Sequence, residues 1–360
     1  MLYLIGNYRL LGSKSMNLYA NCLQDILKKR KINFRYLEPK IICNRINVKN
    51  FILKKYFGYI DNYILFGIYL FFTINKKDLV HICDHANSIL FFFIRTKKVL
   101  ITCHDLINIK LLFKKKTKLS TKIYQYLISL YLKKINKIIC VSNNTQKELV
   151  KFLKINKDKT ILVYNPINQK FKKQKRIINK NKKFFKYFIH VGNNNFYKNK
   201  IGLIKIFYHL LKFRKFKNYK LILVGSKINS PISKLILKLK IQNKIINLIN
   251  INTKKLSYLY QNSMGLIFPS IEEGFGWPII EAQYNGCLVI TSNIPPMNEI
   301  GSKSSILINP NNFKKSAIEI NKKFYSRKIK IALGYKNVAK FSSNIFLTKM
   351  LKIYQNEKKN

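Results

Sequence analysis

Residues 265–301, GLIFPSIEEGFGWPIIEAQYNGCLVITSNIPPMNEIG, constrain the fold more than any other stretch of the chain. They contain no Lys or Arg, although 69 basic residues are spread over the 360 positions; an average stretch of this length would hold roughly 7. The same stretch carries four of the fourteen acids (Glu272, Glu273, Glu281, Glu299), five of thirteen Gly, four of eight Pro and the only Trp, Trp277. Its pattern is strand, loop, helix, strand. Gly265 to Phe268 is an apolar run stopped by Pro269. Gly274 and Gly276 allow backbone angles, or a close approach by a ligand, that a Cβ would forbid. Pro278 suits the first turn of a helix running from Ile279 to Asn285, and Gly286 is placed to end it. Cys287 to Thr291 forms the next strand.

A glycine loop that empties into a helix N-terminus offers backbone N–H groups and a positive dipole end to an anion such as a diphosphate. Two carboxylates frame that cradle, Glu273 in the loop and Glu281 in the helix, and a carboxylate can accept two hydrogen bonds from a vicinal diol. This combination, EGFGWPIIEA with seven residues between the two Glu and NGCLVITSN following, resembles the donor-site signature of family 4 retaining glycosyltransferases. The resemblance implies a GT-B fold: two Rossmann-like, doubly wound parallel-sheet domains facing each other across a cleft.

The rest of the chain reads in the same α/β terms. Short apolar strands such as LYLIG (2–6), LVHIC (79–83), VLITC (99–103) and KIICVS (137–142) alternate with helical patterns, which argues for a parallel sheet covered on both faces. Residues 167–183 are polar, basic and without period, as in a domain linker. The alternation then restarts at 185–192 and 219–225. The expected organisation is an acceptor-side domain over 1–166, the linker over 167–183, a nucleotide-sugar domain over 184–340, and a terminal helix over 341–360 that the resemblance implies packs back on the first domain. Strand ends of such sheets carry the ligand-binding loops.

Several further positions match the family. His104, in ITCHDL (101–106), resembles the family's T-x-HDL element and would lie near the donor sugar and diphosphate. VGNNNFYKNKIGLIKIF, starting at Val191, resembles its phosphate-contacting motif, with Lys198 in the place of the conserved cation. Here the chain departs from the pattern: Tyr197 stands where the usual Arg would be, and Asn193 where some relatives have Arg, so one cation is missing. By resemblance, Glu281 would hold the ribose diol and Glu273 the donor sugar. The backbone of Gly274, Phe275 and Gly276 would lie against sugar and diphosphate with Asn193 nearby, and Lys198 and His104 would stabilise the leaving group. Gly12 and Ser13, in NYRLLGSKSM (7–16), resemble the acceptor-side loop, although a simple capped turn reads nearly as well. His85 could contact donor or acceptor. His81 and His85 are four apart, but no Glu lies between them as in zinc proteases, so no metal site is expected. His190 and His209 read as packing or surface residues.

The formal charge is +55. Such a charge suggests an anionic membrane surface or nucleic acid, yet no aromatic-basic recognition motif is present and nucleic acid is not expected. Lys abundant together with Ile and Asn is also what an AT-rich codon supply produces, so the charge alone does not decide. Six Cys in apolar runs without C-x-x-C read as reduced core residues of a cytoplasmic protein. The segment 56–75 is interrupted by Asp61 and Asn62 and reads as a buried or surface-docking helix, since its uncharged part is too short to cross ~30 Å of hydrocarbon. The expected function is retaining, metal-independent transfer of a hexosyl unit from a nucleotide diphosphate sugar, with no other cofactor, to a glycan or lipid-linked acceptor in bacterial surface polysaccharide or lipopolysaccharide synthesis. The expected location is the cytoplasm, at the inner face of its membrane. Two alternatives remain open: a glycosyl phosphorylase or synthase of the same fold, and a decayed basic protein that binds membrane surfaces.

Overall fold

Short runs, three to six residues long and mostly rich in Ile, Leu and Val, become the strands of two parallel sheets. The computed structural model describes residues 1–10, 14–46, 50–168, 170–171 and 186–359. The chain divides into one unit of Met1–Pro166 with Ser343–Asn360, and a second of Ile167–Ser342. Most of the expected linker and both Gly12 and Ser13 lie outside the described residues.

The first unit runs β1 (Leu2–Ile5), α1 (Lys14–Lys29), β2 (Arg35–Leu37), α2 (Phe51–Tyr59), a π-helical turn (Ile60–Leu65), α3 (Phe66–Thr73) and β3 (Leu79–Ile82). A 3-10 segment (His85–Phe93), β4 (Val99–Cys103), α4 (Leu119–Lys134), β5 (Lys137–Cys140), α5 (Asn143–Leu153) and β6 (Thr160–Leu162) complete it. The strand order is β2-β1-β3-β4-β5-β6, with the reversal in order between β1 and β3, where Leu4 stands opposite His81. Alternate residues point to opposite faces. Tyr3, Ile5, Val80, Ile82 and Ile101 therefore pack one way, and Leu2, Leu4, Leu79, Leu100 and Ile139 the other.

The second unit holds β7 (Tyr187–Gly192), α6 (Lys200–Leu211), β8 (Lys220–Gly225), α7 (Ser230–Lys238), β9 (Ile245–Ile249) and α8 (Thr253–Asn262). Then come β10 (Gly265–Phe268), α9 (Trp277–Tyr284), β11 (Val289–Ser292), α10 (Met297–Gly301), β12 (Ser305–Ile308), α11 (Phe313–Lys323) and α12 (Arg327–Val338). Its order, β12-β11-β10-β7-β8-β9, reverses between β7 and β10. In open parallel sheets the crevice outside the strand ends at such a reversal is where ligands bind. The edge strand β12 was not anticipated: SILI is a short run between helical segments, and its pairing with β11 is what makes it a strand. Helix α9 begins at Trp277, two residues earlier than expected, because Gly276 adopts φ +94° and turns the chain directly into it.

The last helix, α13 (Ser343–Lys359), belongs to the first unit. Phe346, Leu347, Met350, Ile353 and Tyr354 form a stripe at helical spacing that covers the same sheet face as Leu4 and Leu100. On that face the buried His81 ring is held between Tyr354 Oη at 2.7 Å and Thr102 Oγ1 at 2.8 Å. All six Cys are free; five are buried and Cys43 is half-buried. Among the described residues, no helix is long and apolar enough to cross a membrane.

Candidate functional site

In the second unit, the loops that leave β7 and β10 meet at the reversal of strand order. Ile271 N–H donates to Tyr197 O at 2.8 Å and ties the two loops together. Asn199 sits in the left-handed region at φ 52°, caps α6 by accepting from Gly202 N–H, and donates from Nδ2 to Pro269 O at 3.1 Å and Pro310 O at 3.0 Å. Asn tolerates that conformation better than most residues. The residue before it, Lys198, is thereby aimed at the β10 loop, where its Nζ donates to both oxygens of Glu273 at 2.7 and 2.9 Å. The ammonium also lies over the Phe268 ring at 5.3 Å. It has three donors, and Glu273 uses two of them.

Beyond Glu273 the loop passes through Phe275, whose buried ring stands edge-on to Trp277 and Phe341. That anchoring fixes the backbone of Gly274 and Gly276. Helix α9 starts with no side-chain cap, leaving its positive end to the loop side. Glu281, four residues into α9, is 6% exposed, and Tyr260 Oη donates to its Oε2 at 3.2 Å. Burial pushes its pKa up to about 7, against the smaller opposing effect of the Tyr260 bond. Asn193 accepts the Asn195 N–H at its own Oδ1 and shapes the loop after β7. Lys200 is 3% exposed, donates to Asn194 Oδ1 at 2.9 Å, and is lowered to about 8 by burial. His190 donates from Nδ1 to Ile267 O at 3.0 Å, and its Nε2 is buried without a partner among the described residues.

In the first unit a second polar cluster lies at the other reversal, past the ends of β1, β3 and β4. Asp84 accepts from Asn7 Nδ2 at 2.9 Å and from Ala86 N–H at 3.0 Å, and Asn87 Nδ2 reaches Asn7 Oδ1 at 2.6 Å. Burial alone would raise the Asp84 pKa, but the His85 ring beside it, the charge of His104 and the Ala86 N–H together outweigh burial and bring it to about 2. His85, itself buried, is raised by Asp84 and Asp105 despite burial acting the other way. Its Nδ1 lies 3.3 Å from Asp84 Oδ1 without the alignment of a hydrogen bond, and the two groups attract as charges at close range. His104 is 5% exposed, donates from Nε2 to Cys83 O at 2.9 Å, and stands edge-on to Tyr19 at 4.9 Å. Burial lowers its pKa, so it is the neutral ring with the lone pair on Nδ1. Among the described residues, no three His, Cys, Asp or Glu side chains are grouped to hold a metal ion.

Two families match consecutive parts of the chain: Glycosyltransferase Family 4 over residues 37–171 and Glycosyl transferases group 1 over residues 168–335. The chain belongs to the group 1 glycosyltransferases. This glycosyltransferase is 26% identical over 280 residues to the O-antigen chain mannosyltransferase RfbU of Salmonella typhimurium, covering 77% of this chain and 72% of that one. It is 27% identical over 353 residues to the capsular polysaccharide biosynthesis glycosyltransferase CapH of Staphylococcus aureus, covering 93% and 87%. Its fold matches that of sucrose-phosphate synthase from Thermosynechococcus elongatus with a TM-score of 0.78 at 16% identity, over 99% of this chain and 98% of that one.

The structure brings Lys198, Glu273, Gly274, Phe275, Gly276 and Asn193 to one pair of loops in the second unit of the glycosyltransferase, with Glu281 on the helix that follows. It brings His85 and His104 to the strand ends of the first. Motif reading did not identify Asp84, Asn7, Asn87, Tyr260 or Lys200. The only available signal was position, since Asn7 and Asp84 each stand two residues past a strand end.

Proposed function

We propose that the enzyme moves a hexosyl unit, with retention and without a metal ion, from a nucleotide diphosphate sugar to a glycan or lipid-linked acceptor in bacterial surface polysaccharide assembly, working at the cytoplasmic face of a membrane. The observation that carries this reading is the largely buried Lys198–Glu273 pair at the β7/β10 reversal, one loop before the uncapped N-terminus of α9. The third donor of Lys198 and the helix end are cationic partners for a diphosphate, and Glu273 is an acceptor for sugar hydroxyls. Glu281 lies about one helical turn into α9, where a ribose diol can hydrogen-bond its carboxylate. Catalysis then rests on positioning and on stabilising charge at the departing phosphate.

The geometry refines one expected role. His104 has its Nε2–H committed to Cys83 O and resists protonation, so it suits accepting a hydrogen bond from a sugar hydroxyl better than donating one to a phosphate. The polysaccharide assignment is supported by RfbU and CapH, and RfbU being a mannosyltransferase puts mannosyl donors first in any screen.

The test is turnover of UDP-, GDP-, ADP- and dTDP-sugars by the purified enzyme with and without EDTA, with the anomeric configuration of the product read by NMR. One donor turning over in EDTA with retained configuration is expected. Lys198→Ala should lower that turnover by about a hundredfold or more, in line with loss of one charge-stabilising donor. Loss of all activity in EDTA, or an inverted product, would overturn the corresponding part of the reading.

A further inference from the structure

Helix α2, the π-helical turn and α3 follow one another over residues 51–73, and unlike an ordinary surface helix they carry apolar side chains on the outside as well as the inside. Their inner side holds Asp61 and Asn62, 1% and 3% exposed, beside Phe66 and Leu70. Their outer side carries Leu53, Tyr56, Ile64, Ile68 and Phe72, 46% to 78% exposed, at spacings of three and four, with the partly exposed Ile60 filling the gap between Tyr56 and Ile64. In water alone, Asp and Asn belong outside and Ile and Phe inside. The orientation is held firmly: Asp61 accepts from Tyr8 Oη at 2.7 Å and from the Cys43 N–H at 2.8 Å.

Neighbouring elements continue the patch. Tyr63 Oη and Tyr124 Oη are hydrogen-bonded at 2.7 Å, joining this layer to α4, whose Leu119, Ile123 and Tyr126 are exposed. Gly67 packs so closely on Phe93 that a Cβ would stand 2.5 Å from the ring, and the adjacent Phe92 is exposed and edge-on to Tyr131 of α4. Cations frame these groups. Lys55, Arg95 and Lys134 lie over the rings of Tyr59, Phe71 and Tyr131 at 5.7, 5.3 and 5.1 Å. Residues 50–134 contain fifteen Lys and Arg and four acids. Of those acids, Asp61, Asp78 and Asp84 are buried, so the exposed charge of this stretch is predominantly positive.

We propose that this outer helix face of the first unit docks the enzyme on a bilayer containing anionic lipid. Its aromatic and aliphatic side chains enter the boundary between headgroups and acyl chains, and its Lys and Arg meet the lipid phosphates. The inference deepens the reading of an enzyme that works at a membrane by naming the surface. A second copy of the chain is the poorer occupant, because two such faces would bring like charges together.

The full-length enzyme is floated with vesicles of phosphatidylcholine, with and without phosphatidylglycerol. Binding is expected only with phosphatidylglycerol. The combined variant Ile64→Ser, Ile68→Ser, Phe72→Ser should weaken it by about a hundredfold, and Lys54→Glu with Lys55→Glu by about tenfold. Lys234→Glu with Lys238→Glu, on α7, should leave it unchanged. Apolar-variant binding equal to wild type would overturn the proposal in favour of diffuse charge attraction. So would a wild-type enzyme that ignores vesicles but forms a dimer abolished by the apolar variant. Hydrolysis of a soluble nucleotide sugar is read on the same samples. Vesicle binding by an enzyme that hydrolyses no donor supports the docking face and counts against the proposed transfer alone; hydrolysis without vesicle binding does the reverse.

Discussion

At Glu281 a carboxyl group is buried with one hydroxyl, Tyr260, to hold it, and its pKa rises to about 7 from 4.5. The folded chain therefore keeps this proton over a range where the unfolded chain has released it. The sign follows: stability falls as pH rises from about 4.5 to about 7, by about 3 kcal/mol in all, and does not change further above that on account of this group. Glu281→Gln removes the fall, so urea melts should show the variant gaining on wild type between pH 5 and pH 8. Hydrogen bonds from a ribose diol favour the ionised form. Nucleotide binding near pH 6 should then release a proton, seen as a buffer-dependent heat in calorimetry, and the Gln variant should lose that signal. If wild type and variant show the same buffer dependence, Glu281 is not the residue that meets the diol. Lys198 shows the opposite arrangement. Its charge is matched by Glu273, so the pair persists without ligand and is in position before one arrives.

The strand-loop-helix built on β10 and α9 depends on one backbone angle. Gly276 at φ +94° turns the chain from loop to helix, and its ideal Cβ would also stand 3.1 Å from Ile279 Cδ1. Gly276→Ala forces a side chain into a conformation that costs about 1–2 kcal/mol. It also moves the helix end that the proposed diphosphate faces. A fall of several degrees in Tm with a weaker nucleotide-induced thermal shift is expected; a lower Tm with unchanged nucleotide response would separate the turn from the binding role. The β7 loop is held by different means, with Asn199 bonding two carbonyls that are distant in sequence, Pro269 and Pro310.

For the whole molecule, the chain leaves its first unit at Pro166 and returns at Ser343. Helix α13 covers the sheet face of Leu4, Leu79 and Leu100 and gives His81 its Tyr354 partner. Deleting residues 343–360 should therefore raise hydrogen exchange in β1, β3 and β4, while β7, β8 and β10 keep their protection. Tyr354→Phe, which removes only the bond to His81, should cost about 1–3 kcal/mol by leaving a buried ring nitrogen unpaired. Equal loss of protection in both units on deletion would show that the helix stabilises more than the sheet it covers.

Much of this was legible in the chain. The apolar runs that became β3, β4, β7 and β8, the Gly and Pro placed around α9, and the seven-residue spacing of Glu273 and Glu281 are all local signals. They reflect the two- and 3.6-residue periods and the few residue types that allow unusual backbone angles, and a single sequence displays them directly. What tertiary structure alone decided was which side chains meet across long separations. Lys198 pairs with Glu273 across 75 positions, Asn7 with Asp84 across 77, and His81 with Tyr354 across 273. The same holds for the inward Asp61 and outward Phe72 of the α2–α3 segment, whose composition reads equally as a core helix or a surface one. No backbone period encodes such contacts. They arise when the sheet order brings distant strand ends side by side and burial leaves each polar group only the partners that share its site.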